Sequence, residues 1–177
     1  MRNQIAYAIC PAGPGDALDL AWVHVQSWRE TYPGLLPRAY LDGMSVQRHA
    51  RLWRKRLLSS DEVTLVAEGA EGPVGYCSGL SWRGREDGLA EITTLYVLGQ
   101  AQASGLGRRL LSDTARALAA RGAMSLVIWV LRENTKARGF YEHLGGKLDA
   151  ARSEMVGGRA IPSVAYRWER PFGWPVG

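Results

Sequence analysis

Gln102-Ala103-Ser104-Gly105-Leu106-Gly107 follows the apolar run Glu91-Ile92-Thr93-Thr94-Leu95-Tyr96-Val97. It opens a stretch in which Leu106, Leu110, Leu111, Thr114 and Leu118 recur at helical spacing. A strand, a glycine-bearing turn and a helix are predicted in that order. The two glycines leave the backbone uncrowded where strand becomes helix, so several peptide N–H groups can converge on one anion while the helix dipole adds favourable potential. A diphosphate fits that arrangement. The segment lacks the Gly-Lys-Ser/Thr ending of a P-loop and does not begin with the first glycine of the dinucleotide fingerprint. Arg108 and Arg109 either add charge-assisted contacts to the anion or stand as solvent-facing arginines of the first turn.

Working outward, residues 5–10 form a short apolar strand that stops at Pro11 and the Gly13-Pro14-Gly15 breaker, after which Asp16 is placed to cap a helix. Leu20, Val23, His24, Ser27 and Trp28 fall on one side of that helix, and Pro33-Gly34 ends it. A second helix over about 45–58 carries Val46, Ala50, Trp53 and Leu57 as its stripe. Strands are expected at 63–68, 74–82, 89–97 and 125–131, with the helix over 106–121 between the last two and Gly122 as its stop. Asn134 caps a further helix to about Leu144, and 147–155 and 160–168 pair across Gly157-Gly158. The order is strand, two helices, three strands, helix, strand, helix, two strands.

The 177 residues, 46% of them hydrophobic, suit one domain spanning 1–177. The formal charge of +5 admits nucleic acid, an acidic membrane surface or a polyphosphorylated cofactor as partners. The arginines are scattered, with no long basic arm or recognisable nucleic-acid motif, so no nucleic-acid partner is expected. Cys10 and Cys77 lie in no metal or redox spacing, and His24, His49 and His143 in no ligand motif, so no metal is expected. No signal-like run or spanning segment stands out, and a cytoplasmic protein without a membrane partner is expected.

The Gln102 to Gly107 segment resembles the Gln/Arg-x-x-Gly-x-Gly/Ala signature of the GCN5-related N-acetyltransferase (GNAT) family. The likeness extends to the 91–97 strand, the 126–131 strand and the helix that begins at Asn134. It implies an α+β fold: a mixed, mostly antiparallel seven-stranded sheet with splayed, parallel fourth and fifth strands, and four main helices. It also implies acetyl-CoA as cosubstrate. The strand edge Leu95-Tyr96-Val97 would then meet the pantetheine arm, chiefly through the backbone of Leu95 and Val97. Gln102, Ala103, Ser104, Gly105, Leu106, Gly107 and Arg108 would hold the diphosphate, with Asn134, Phe140 and Tyr141 on the far side.

Acyl transfer needs a neutral amine, and a lysine-like amine of pKa about 10.4 is only roughly 0.04% neutral at pH 7, a cost of about 4.6 kcal/mol. Glu91 occupies the position that serves as general base in some family members; an exposed glutamate or a partner for substrate charge is the other reading. Tyr141 is the candidate acid for the departing thiolate. It lies seven residues after Asn134, within Phe140-Tyr141-x-x-x-Gly145-Gly146, which resembles the family's Phe-Tyr-x-x-x-Gly-Phe except at Gly146. Trp28 and Tyr32, with Trp82 or Tyr96, make an aromatic wall for the acceptor or simply pack.

The expected activity is transfer of an acetyl group to a primary amine of a small molecule, by direct attack in a ternary complex. A protein or peptide acceptor is the alternative, and a non-catalytic acyl-CoA sensor is the alternative of another class. Tyr166-Arg167-Trp168 and Phe172-Gly173-Trp174 either cover the fold internally or build a homodimer interface.

Overall fold

The structure, a computed structural model, describes residues 7–81 and 87–169. Its strands are β1 (Ala8–Pro11), β2 (Glu62–Gly69), β3 (Gly72–Ser81), β4 (Leu89–Val97), β5 (Ser125–Leu131), β6 (Lys147–Val156) and β7 (Arg159–Glu169). The helices are α1 (Ala17–Thr31), α2 (Arg38–Asp42), α3 (Val46–Arg56), α4 (Leu106–Ala119) and α5 (Thr135–His143). One seven-stranded sheet runs β1-β2-β3-β4-β5-β7-β6, antiparallel throughout except for the parallel β4–β5 pair.

The helix α4 packs its stripe of Leu106, Leu110, Leu111 and Leu118 on one sheet face against Cys77, Ile92, Leu126 and Ile128. Each such leucine contributes about 1.5–3 kcal/mol by leaving water. Leu20, Val23, Ala50 and Trp53 of α1 and α3 pack on the opposite face against Val66 and Tyr76. Gly122, at φ +97°, ends α4 as expected, with its N–H bonding Ala119 O and that of Ala123 bonding Leu118 O. Gly157 and Gly158, both at positive φ, form the two-residue turn between β6 and β7.

Two expectations need correction. A third helix, α2, precedes β2: its five residues are too few for a periodic pattern, and burial of Leu41 holds it in place. Asp16 does not cap α1 with its side chain; the carboxylate instead accepts the Gly13 N–H at 2.7 Å, closing a 3-10 turn over Pro14–Asp16.

A β-bulge sits in β4. Ser78 pairs with Thr94 and Gly79 with Ile92, leaving Thr93 as the extra residue. Arg56 from α3 donates to Thr93 Oγ1 at 2.7 Å, while its Nε and Nη2 bond the buried carboxylate of Glu62. Ser78 adds a hydroxyl donor to the same carboxylate, so a buried charge is paired and bonded at the place where the strand bends.

Candidate acetyl-transfer site

The bulge marks the point where β4 and β5 part. Their parallel pairing covers Leu89 to Ile92 against Ser125 to Ile128 and goes no further, although β4 stays paired to β3 and β5 to β7. Two facing edges with unused backbone groups therefore open into a cavity of about 1090 Å³. Glu91, Leu95, Tyr96 and Val97 line it from β4, Trp129 and Leu131 from β5, and Phe140 and Tyr141 from α5.

The Gln102 to Gly107 segment forms the mouth. Ala103 at φ +58° and Gly105 at φ +80° reverse the chain so that α4 begins at Leu106 with its first N–H groups at the cavity rim. Ser104 Oγ donates to Ala101 O at 2.7 Å and so shapes the turn. Gly105, Gly107 and Arg108 line the cavity. Arg109 turns outward and bonds the Tyr7 carbonyl at 3.4 Å, which settles it as a surface arginine. The Gln102 side chain points back into the protein: Nε2 donates to Val97 O at 2.8 Å, and Oε1 accepts from Lys136 Nζ at 2.5 Å. It staples the loop to the end of β4 and the start of α5, and the Val97 carbonyl, expected to meet the pantetheine arm, already receives this bond.

Asn134 caps α5 as expected, accepting the Ala137 N–H at 3.1 Å. Two turns later Tyr141 is 6% exposed, its ring among Phe140, Tyr166 and Trp168. Burial pushes its phenol far above the ordinary range, so it stays protonated at neutral pH and able to donate. Trp168 also accounts for Gly146: a Cβ there would lie 2.6 Å from the indole, so the β7 aromatic occupies the space. Trp168 Nε1 bonds Leu144 O, and Tyr166 is fully buried, so this part of the terminal aromatic segment covers the fold internally. Phe172-Gly173-Trp174 and Trp82 lie outside the described residues.

Glu91 is half-buried, and desolvation raises its carboxyl above the usual range; Arg152 opposes that rise and Glu154 reinforces it. The α1 wall stands opposite. Trp28 meets Tyr32 edge-on at 5.0 Å and Tyr96 at 6.4 Å, and the Tyr32 hydroxyl faces Tyr96 and Asn134. Leu36, Leu41 and Met44, beyond α1, pack on Ile161 and Val156 of the β6–β7 hairpin. Tyr40 abuts the hairpin's turn so closely that a Cβ on Gly157 would come within 2.9 Å. The helical segment and the hairpin thus pack on each other and border this end of the cavity, through Trp28, Tyr32 and Leu36 on one side and Arg152, Glu154 and Val156 on the other.

Among the described residues, four charged side chains of the lining escaped the sequence reading. Lys136 and Glu30 brace the mouth, Glu30 by accepting the Gly99 N–H. Arg152 and Glu154 line the cavity from β6. Only Glu30 carried a signal, within the Ser27 to Tyr32 run; the others are surface-type charges whose placement depends on strand pairing. Among the described residues no group of three or more His, Cys, Asp or Glu could hold a metal ion, and no helix is long and apolar enough to cross a membrane.

Comparison with known proteins agrees with this geometry. A protein 30% identical over 155 residues, 86% of this chain and 87% of its own length, is the uncharacterized N-acetyltransferase YuaI of Bacillus subtilis. The PaiA N-acetyltransferase of Thermoplasma acidophilum, solved with coenzyme A, superposes with a TM-score of 0.72 at 19% identity, covering 93% of this chain and 99% of that one. The protein yncA of Salmonella typhimurium, solved with its cofactor acetyl-CoA, gives 0.70 at 19% identity over 97% of both chains. The model of the acetyltransferase (GNAT) family matches residues 22–146. With its splayed β4–β5 pair and the turn that opens α4, the chain belongs to that family and is an acetyltransferase with acetyl-CoA as its cosubstrate.

Proposed function

We propose that the enzyme acetylates a primary amine of a small molecule by direct attack in a ternary complex. The walls of the acceptor end carry this reading. Leu36 and Val156, which line the cavity from the segment after α1 and from β6, belong to one packed cluster, so an acceptor enters between packed walls, which suits a small free amine better than a folded protein surface.

Direct transfer is supported by the cysteines. Cys77 is fully buried against α4, and burial pushes its thiol up to about 12, so a nucleophilic thiolate is not available there. Cys10 lies in β1, outside the cavity lining.

In this reading the β4 edge at Leu95, Tyr96 and Val97 orients the pantetheine arm, and the turn from Gln102 to Arg108 receives the diphosphate. Glu91, directly or through water, removes a proton from the bound ammonium. The neutral nitrogen attacks the thioester carbonyl carbon, the C–S bond breaks, Tyr141 gives its proton to the departing thiolate, and the second proton of the attacking nitrogen passes through water to restore Tyr141 while Glu91 returns its proton to solvent. The products are an N-acetyl amide and CoA thiol.

An acceptor screen that follows CoA thiol release tests the proposal. Turnover of free amines is expected, and turnover confined to folded proteins or peptides would overturn it.

A further inference from the structure

The end of the cavity beside the β6–β7 hairpin carries an uneven set of groups. Trp28 and Tyr32 form one wall and Trp129 the other, and the charged side chains between them are Glu91, Glu154 and Arg152. Arg152 donates through Nε at 2.8 Å and Nη2 at 2.5 Å to Glu154 Oε1, and its guanidinium lies over the Trp129 ring, 3.8 Å from the centroid. One edge and one face of the arginine are therefore already engaged, and Glu91 shares its field. Two carboxylates against one guanidinium leave this end with one net negative charge. The other charged groups bordering the cavity include Glu30 and Lys136, and both are tied to the mouth through Gly99 and Gln102.

We propose that the acceptor is a primary amine with an aromatic or apolar body and no carboxylate beside the amine. This rests on the transfer reading given above. The arriving ammonium is drawn to the carboxylates, and its body replaces water against Trp28, Tyr32 and Trp129. An α-carboxylate would meet Glu91 and Glu154 at close range, and on Arg152 it would find only the Nη1 edge open, since Nε and Nη2 are held by Glu154 and one face by Trp129. Specificity then comes from a built-in repulsion as much as from an attraction.

The test compares kcat/KM at saturating acetyl-CoA for phenethylamine against phenylalanine and isoamylamine against leucine, with ethanolamine as a polar amine. Each carboxylate-free member is expected to be favoured by about tenfold or more, with ethanolamine well below phenethylamine. Glu154→Gln releases Arg152 and is expected to narrow the phenethylamine–phenylalanine gap by raising the rate on phenylalanine. An unchanged gap would remove the Arg152–Glu154 pair from the explanation and overturn the inference. Amino acids turned over as well as their amines also overturn it, and leave the transfer reading standing. Turnover of no amine at all overturns both. The wild-type comparison decides the matter if the variant fails to fold.

Discussion

The Glu30 carboxylate accepts the backbone N–H of Gly99 at 2.9 Å, joining the end of α1 to the 3-10 turn that leads into the Gln102 to Gly107 loop. The helix that carries Trp28 thereby also holds the mouth of the cavity. Glu30→Ala is expected to raise KM for acetyl-CoA by up to about tenfold, since a charge-assisted hydrogen bond this exposed contributes about 1.5 kcal/mol or less. Initial rates at varied acetyl-CoA check it. An unaltered KM would mean that the loop holds its shape without this tie.

Tyr141→Phe removes the proposed proton donor and keeps the ring packing among Phe140, Tyr166 and Trp168. Turnover is expected to fall roughly a hundredfold or more, with acetyl-CoA affinity nearly unchanged. Single-turnover rates and isothermal titration separate the two. An unchanged chemical step would exclude the acid role.

The proposed role of Glu91 requires its deprotonated form, and burial has raised its carboxyl above the usual range. The rate should therefore climb with pH through that raised value. Glu91→Gln is expected to abolish this limb and to lower kcat/KM by roughly a hundredfold near neutral pH. A profile of kcat/KM against pH, with an acceptor of known pKa, shows whether the limb belongs to the enzyme.

His24 shares a 2.8 Å hydrogen bond with Tyr76, and burial, with His49 and Arg56 nearby, lowers its pKa to about 3. A base with a folded-state pKa below the unfolded value of about 6.5 adds stability above pH 6.5 and loses it as the pH falls toward 3. At pH 5 the loss amounts to about 2 kcal/mol. His24→Gln is expected to lower the difference between urea-unfolding free energies at pH 7 and pH 5 by an amount of that order. An unchanged difference would mean that His24 titrates normally.

Gly146→Ala sets a methyl group against Trp168, with ring carbons at 2.6 and 2.9 Å. Destabilisation of about 1–3 kcal/mol is expected from overpacking, with a lower Tm. Trp168→Leu in the same background should recover part of the loss, because it clears the space. No recovery would place the strain in the backbone instead.

Local sequence signals made much of this fold legible. The bounds of β4 and β5 agree with the reading to the residue, and the start of α4 and the Asn134 cap also appear as expected. Their signals are local: a run of strand formers, a glycine with positive φ, a capping amide, a stripe at helical spacing. The helix α2 was hidden because it owes its existence to Leu41 finding a distant apolar neighbour. The motif position of Gln102 is visible in the sequence, whereas the bonds of its side chain to Val97 and Lys136 are not.

Taken alone, the sequence determined that a strand, a glycine-bearing turn and a helix follow one another, and that Glu91, Asn134 and Tyr141 stand at fixed steps from that turn. Tertiary structure alone decided where β4 leaves β5, that Tyr40 and Leu41 pack on the β6–β7 hairpin, and that the Arg152–Glu154 pair of β6 comes within the field of Glu91 on β4. The difference lies in the range of the forces. Backbone conformation and helix caps respond to neighbours a few residues away, while a cavity is made of side chains from distant segments, brought together only when the sheet pairs and its two faces are buried.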